Sequence, residues 1–150
     1  MALRWMFAAL HLLAVGIGLG AIWGRSRALR QPLDPPGLAR VFAADAWWGA
    51  AAALWIFTGL VRVFTSLDKG QEYYIQNRLF LLKMVLFVTV VVLEIRPMRA
   101  LSRWRAAIRR GELPDTTQAS AFATVSTVQA VLIVLIVIAA TGMARGFGMM

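Results

Sequence analysis

Apolar residues dominate this chain in four blocks, and charged residues fall mostly between them. The first block runs from Trp5 to Gly24, uncharged throughout between Arg4 and Arg25. At about 1.5 Å of rise per residue, a helix of that length matches a bilayer core of about 30 Å. It also exceeds the about 7–15 apolar residues of a signal peptide, so it reads as a span. The second block, about Val41 to Phe64, carries Asp45 near its start and Arg62 near its end. The third, Leu79 to Ile95, is shorter and includes Lys83 and Glu94, which must snorkel or meet partners if it crosses. The fourth, Thr116 to Ala144, has no charge at all. The pattern predicts an all-α, integral membrane four-helix bundle in one domain, residues 1–150, with spans at about 5–24, 41–64, 79–95 and 123–144.

Local signals set the expected ends. Asp34-Pro35-Pro36 reads as an N-cap followed by proline in the first turn, which starts helix two before it enters lipid. Pro97 is expected to close helix three. Beyond it Leu101, Trp104 and Ile108 recur at helical spacing among arginines, the pattern of a basic amphipathic segment lying on an anionic leaflet. Gly111 and Pro114 end that segment, and Asp115 is expected to cap helix four.

Composition strengthens the membrane reading. The chain is 60% hydrophobic and 15% charged, with a mean hydropathy of +0.70, against about 45–50% and 25% in a typical globular chain. A domain this size leaves about 30% of its extended-chain surface exposed, so lipid or a partner must cover the apolar surplus. The net charge of +9 is therefore read against a membrane, and nucleic acid is excluded as the expected partner. Arg25, Arg27, Arg30 and Arg40 lie in the first connection, and Arg96, Arg99, Arg103, Arg105, Arg109 and Arg110 in the third. The opposite face holds Arg4, Arg62, Lys69, Arg78 and Arg145. By the positive-inside rule, connections one and three are cytoplasmic and both termini lie outside, in a multi-pass protein of a bacterial inner membrane.

The candidate chemistry is sparse. There is no cysteine, which removes disulfides and thiolate chemistry, and His11 is the lone histidine. Charge within a span costs at least about 2.5–3.5 kcal/mol, so His11, Asp45, Lys83 and Glu94 are the first places to look for function. On helix one, His11 shares a face with Phe7, Ala14, Val15 and Gly18. Gly16, Gly20 and Gly24 form a stripe nearly opposite, which can seat a second copy or a partner subunit, or a helix of the same chain. On helix two, Asp45, Gly49, Ala52, Ile56 and Gly59 share a face flanked by Trp48 and Trp55, suited to a flat ligand or to tight packing. On helix three, Lys83, Phe87, Val90 and Glu94 form a stripe that should face protein.

Depth sorts these groups into two layers. His11 and Lys83 lie in an outer layer beneath a rim of Arg4, Arg62, Arg78 and Arg145. Asp45, Glu94 and Gln129 form an inner layer near Arg25 and Arg96, where carboxylate–arginine pairs are ordinarily structural. A neutral imidazole in apolar surroundings is a ready ligand for haem iron. His11 is thus the candidate axial and metal ligand, with Met143 as a second. Lys83, Arg62 and Arg78 are counter-charges for carboxylates, and Lys83 and Asp45 are catalytic candidates, Asp45 as a proton relay. The competing reading has His11 simply bonding a neighbouring helix.

Ala9-Leu10-His11-Leu12-Leu13, Ala44-Asp45-x-Trp47-Trp48-Gly49, Thr58-Gly59-Leu60 and Asn77-x-Leu79-Phe80-x-x-Lys83-Met84 resemble a family of small bacterial membrane proteins catalogued as domain of unknown function 2214. That resemblance covers nearly the whole chain and implies a four-span inner-membrane protein without an established activity. A more distant, architectural likeness is to the HemJ-type protoporphyrinogen oxidases, which place a histidine implicated in haem b binding early in helix one and a lysine early in a later span. His11 and Lys83 occupy the corresponding positions. Two function classes follow: a haem- or porphyrin-associated redox protein, and a non-catalytic accessory or scaffold subunit that packs through Gly16, Gly20 and Gly24.

Overall fold

The computed structural model describes residues 2–65 and 77–148. Four helices make up the bundle: α1 Ala2–Leu29, α2 Pro35–Phe64, α3 Arg78–Arg109 and α4 Ala119–Ala144. Of these, α1, α2 and α4 are long and apolar enough to cross a membrane. Consecutive helices run antiparallel. α1 is central, packed on both α2 and α4, and α4 in turn holds α3. α2 and α3 meet mainly through long side chains, such as the edge of Trp55 against Phe87 at 5.4 Å.

Capping follows the sequence at several ends. Asp34 precedes Pro35 and Pro36, and its carboxylate accepts from the Gly37 amide at 2.8 Å. α3 ends in a Schellman turn, with Gly111 at φ 75° and the Glu112 amide donating to the Ala107 carbonyl. α4 ends the same way, with Gly146 at φ 87° and the Phe147 amide donating to the Gly142 carbonyl. That last turn is fastened to the start of α3. The buried side chain of Asn77 accepts from the amides of Leu79 and Phe80 and donates to the Phe147 carbonyl, and the Arg78 amide reaches the Gly148 carbonyl.

Two expected ends are corrected. Pro97 does not close the third helix, because α3 continues through it for another three turns. The proline removes one backbone hydrogen bond and costs about 3 kcal/mol in a helix interior. Buried Ala100, Leu101 and Trp104 beyond it pack with Ala28, Leu29, Leu38, Val41, Phe122 and Ala123, and that apolar burial offsets the loss. The stretch after Pro97 is therefore part of the bundle rather than a segment lying flat on the bilayer. Of its apolar stripe, Leu101 and Trp104 are buried and Ile108 is exposed. Asp115 does not cap the fourth helix either. Its carboxylate accepts from the Thr117 amide at 3.1 Å, and α4 begins at Ala119 after Gln118, which makes no side-chain cap.

The interior holds two apolar clusters. The one around Trp104 and Phe122 fills the arginine-rich end. The other, around Ala14, Ile22, Trp48, Trp55, Val90, Ala130, Ile133 and Ile136, fills the rest. A band of charged and polar side chains separates them, and the outer surface changes character at the same level. Toward the second cluster the exposed positions are Trp23, Trp47, Val85, Val88, Val91, Val131, Leu135 and Ile138. Toward the first they include Arg27, Arg40, Arg99, Ser102, Arg103, Ser120 and Thr124, with Met98 and Ile108 the exposed large apolar side chains among them on α3.

Candidate functional site

The deepest polar group is Arg25. Its side chain is fully buried on α1, and each of its five N–H groups has an acceptor. Nε donates to Ser126 Oγ at 3.1 Å, Nη1 to Asp45 Oδ1 at 2.8 Å and to Glu94 Oε1 at 2.7 Å, and Nη2 to Glu94 Oε2 at 2.7 Å and to Gln129 Oε1 at 3.2 Å. The two bonds to Glu94 form the parallel fork that suits a guanidinium to a carboxylate. Gln129 Nε2 donates to Glu94 Oε2 and to the Val90 carbonyl. On the far side of Asp45, Arg105 donates to Oδ2 at 2.8 Å, and its guanidinium lies 4.8 Å from the centre of the Phe42 ring. Two arginines and two carboxylates give a neutral layer to which all four helices contribute.

The sequence places Arg25, Asp45, Glu94 and Gln129 in one inner layer, and they do meet. Arg96 is not their partner. It is exposed, and Arg105, two turns further along the uninterrupted α3, takes the place expected of it. Ser126 is a further member that sequence reasoning missed. Its spacing from Gln129, three residues on an otherwise apolar helix, was the signal available.

The second polar site lies about 20 Å away along α1, from the 14 residues between His11 and Arg25. Trp55 Nε1 donates to His11 Nε2 at 3.1 Å, and His11 Nδ1 is 2.9 Å from Thr58 Oγ1. Thr58 in turn donates to the Leu54 carbonyl at 2.7 Å. Because Nε2 accepts and the threonine hydrogen goes to Leu54, the ring proton belongs on Nδ1. The imidazole is neutral, donating at one nitrogen and accepting at the other. Gly59 lets α2 come close: a Cβ there would stand 3.3 Å from His11 Cε1.

Thr58 and Trp55 were legible as His11's partners only from the buried face of α2. That face is Trp48, Ala51, Trp55 and Thr58, spaced three, four and three. The expected groove of Gly49, Ala52 and Ile56 is not there. Gly49 and Ile56 are exposed, and the Trp48 indole fills the interior against Gly18. On α3, by contrast, Lys83, Phe87, Val90 and Glu94 do share the inward face, with Val90 buried and Glu94 paired.

The remaining candidates surround the His11 end without joining one centre. Lys83 is half-buried, with Nζ 4.9 Å from the Phe80 ring centre and Arg62 within electrostatic reach. Arg62 and Met143 are half-buried near the ends of α2 and α4, and Arg78 is exposed at the start of α3. Asp45 belongs to the arginine layer, about 15 Å along α2 from Trp55. Lys69 lies outside the described residues. As folded, these residues do not fit an axial haem site. An iron on Nε2 must displace the Trp55 indole, and one on Nδ1 must displace Thr58 and pass Gly59. Among the described residues, no group of three or more histidines or carboxylates is placed to hold a metal ion.

A family model described as "Predicted membrane protein (DUF2214)" matches residues 3–148. No curated protein and no solved structure matches the chain.

Proposed function

We propose, from the premise that the chain belongs to this family of predicted membrane proteins, that it serves as a non-catalytic accessory or scaffold subunit in a bacterial inner membrane. In this reading α3 is the fourth crossing, the arginine-rich end is cytoplasmic and both termini are outside. The outward face of α1 is the surface offered to another copy or to a larger complex.

One contrast supports the reading. The polar groups at membrane depth bind the chain's own helices together: Arg25 uses all its donors and His11 uses both ring nitrogens. Gly16, Gly20 and Gly24, however, have nothing within 4 Å of an added Cβ. Beside them Trp5, Leu12, Leu13 and Ile17 line a shallow apolar groove. Small residues let a second helix approach its backbone closely, which is how helices associate where water gives no hydrophobic drive.

The test is association in mild detergent, by light scattering and cross-linking. Gly20→Leu is expected to reduce self-association or co-purification of a partner while leaving the fold intact, because the site is open. Unchanged association counts against the reading. A Soret band in purified protein that disappears in His11→Ala overturns it in favour of the haem-associated redox class. A reporter fused at Met150 should be active on the outer side, and cytoplasmic activity reverses the orientation.

A further inference from the structure

We infer that the exposed arginines just below the buried arginine layer form a binding belt for anionic phospholipid headgroups. The outer surface fixes where the hydrocarbon ends: Trp23 and Trp47 are exposed two residues above Arg25 and Asp45, Ile95 is exposed one residue below Glu94, and arginines are exposed just below that level. Exposed indoles at such a step belong to the membrane interface. Between Leu79 and that level α3 rises about 22 Å, somewhat less than the hydrocarbon thickness of about 30 Å, so its charged ends lie at or near the interfaces.

The headgroup layer of one leaflet is about 5–8 Å deep. Counting about 1.5 Å per residue from the charged residue on the same helix, Arg27 and Arg96 lie about 3 Å below the layer, and Arg30, Arg40 and Arg99 about 7–8 Å below it. These five come from α1 and the turn that ends it, from α2 and from α3, and are all exposed. None has a side-chain hydrogen bond or ion pair among the described residues. The carboxylates nearest in depth, Asp45 and Glu94, already face Arg25 and Arg105. The belt therefore carries five uncompensated positive charges at the depth where lipid phosphates sit. Arg109 is also exposed, but at about 22 Å below Glu94 it lies beyond the headgroups even with its side chain extended. Position thus separates arginines that meet lipid from arginines that meet water.

The full chain in detergent, titrated with short-chain phosphatidylglycerol or phosphatidylcholine and followed by native mass spectrometry, tests this. Each arginine near an anionic surface is worth about a fivefold gain in affinity, so phosphatidylglycerol should be retained well over tenfold more strongly. Arg27→Gln, Arg30→Gln, Arg40→Gln, Arg96→Gln and Arg99→Gln combined should abolish the preference, and Arg109→Gln should keep it. Equal retention of the two lipids by the unmodified protein overturns the inference without any variant having to fold. Equal loss in the two variants also overturns it, because charge alone and not depth would then set binding.

Discussion

The two polar sites inside the bundle are built on opposite plans. The Arg25 layer takes ions from α1, α2 and α3 and hydrogen bonds from α4, and neutralises itself completely. The His11 site joins α1 and α2 through a ring hydrogen-bonded to two neutral partners, Trp55 and Thr58. A buried ion left alone retains its full desolvation cost, whereas a neutral group left alone loses at most a hydrogen bond or two. The first site therefore locks four helices into one arrangement. The second holds a pair of helices with interactions that exchange far more cheaply.

The sharpest break of this comparison is Arg25→Ala. It leaves Glu94 without a counter-charge and Asp45 with Arg105 alone, and a loss of about 3–5 kcal/mol is expected from breaking a buried pair on one side. Thermal unfolding in detergent, followed by tryptophan fluorescence, reads it. Arg25→Lys should rescue little, since an ammonium cannot present five fixed donors to four acceptor residues. His11→Ala should cost less, about 1–3 kcal/mol, by stranding the Trp55 indole and the Thr58 hydroxyl. If His11→Ala proves as damaging as Arg25→Ala in that assay, the two sites are equally structural and the contrast fails.

Trp55→Phe sharpens the second site further. It keeps an aromatic ring near Phe87, removes the donor to Nε2 and trims part of a buried indole, so about 1–2 kcal/mol is expected. Because Nε2 is then open, this variant is also the one in which added haem should bind most readily. The smallest effect belongs to Glu112→Gln at the solvent-exposed tip. Arg110 holds the Glu112 carboxyl below the usual carboxylate range. The pair's contribution is present above that range and fades as pH falls through it, but both groups are fully exposed and screened. The unfolding midpoint at neutral pH should not move measurably.

Much of the fold was readable because lipid imposes a simple grammar. Uncharged runs of span length, Asp34 before two prolines and Gly111 after the last basic turn each mark a helix or its end. Pro97 misled because a local penalty of a few kcal/mol says nothing of the tertiary packing beyond it. Leu101, Trp104 and Ala100 lie on one face and bury there, and that outweighs one lost hydrogen bond. The same error hid Arg105. Only a helix that carries on past the proline brings that guanidinium to Asp45. The His11 partners were obscured for a different reason: two adjacent faces of α2 both carry tryptophans and small residues, and spacing alone did not say which turned inward.

The buried arginine also sets a timetable for biosynthesis. Asp45 follows Arg25 by 20 residues and Glu94 by 69. At about 5–20 residues per second, the first carboxylate is made roughly 1–4 s after the arginine and the second roughly 3–14 s after it. During that interval α1 carries an unmatched cation near its C-terminal end, where a long side chain can remain in the headgroup region until its partners arrive. Charge pairing of Arg25 is thus possible only after the third helix has been made, and its burial completes only with Ser126 and Gln129 of the fourth, so assembly of the bundle waits on a charge as well as on the apolar spans.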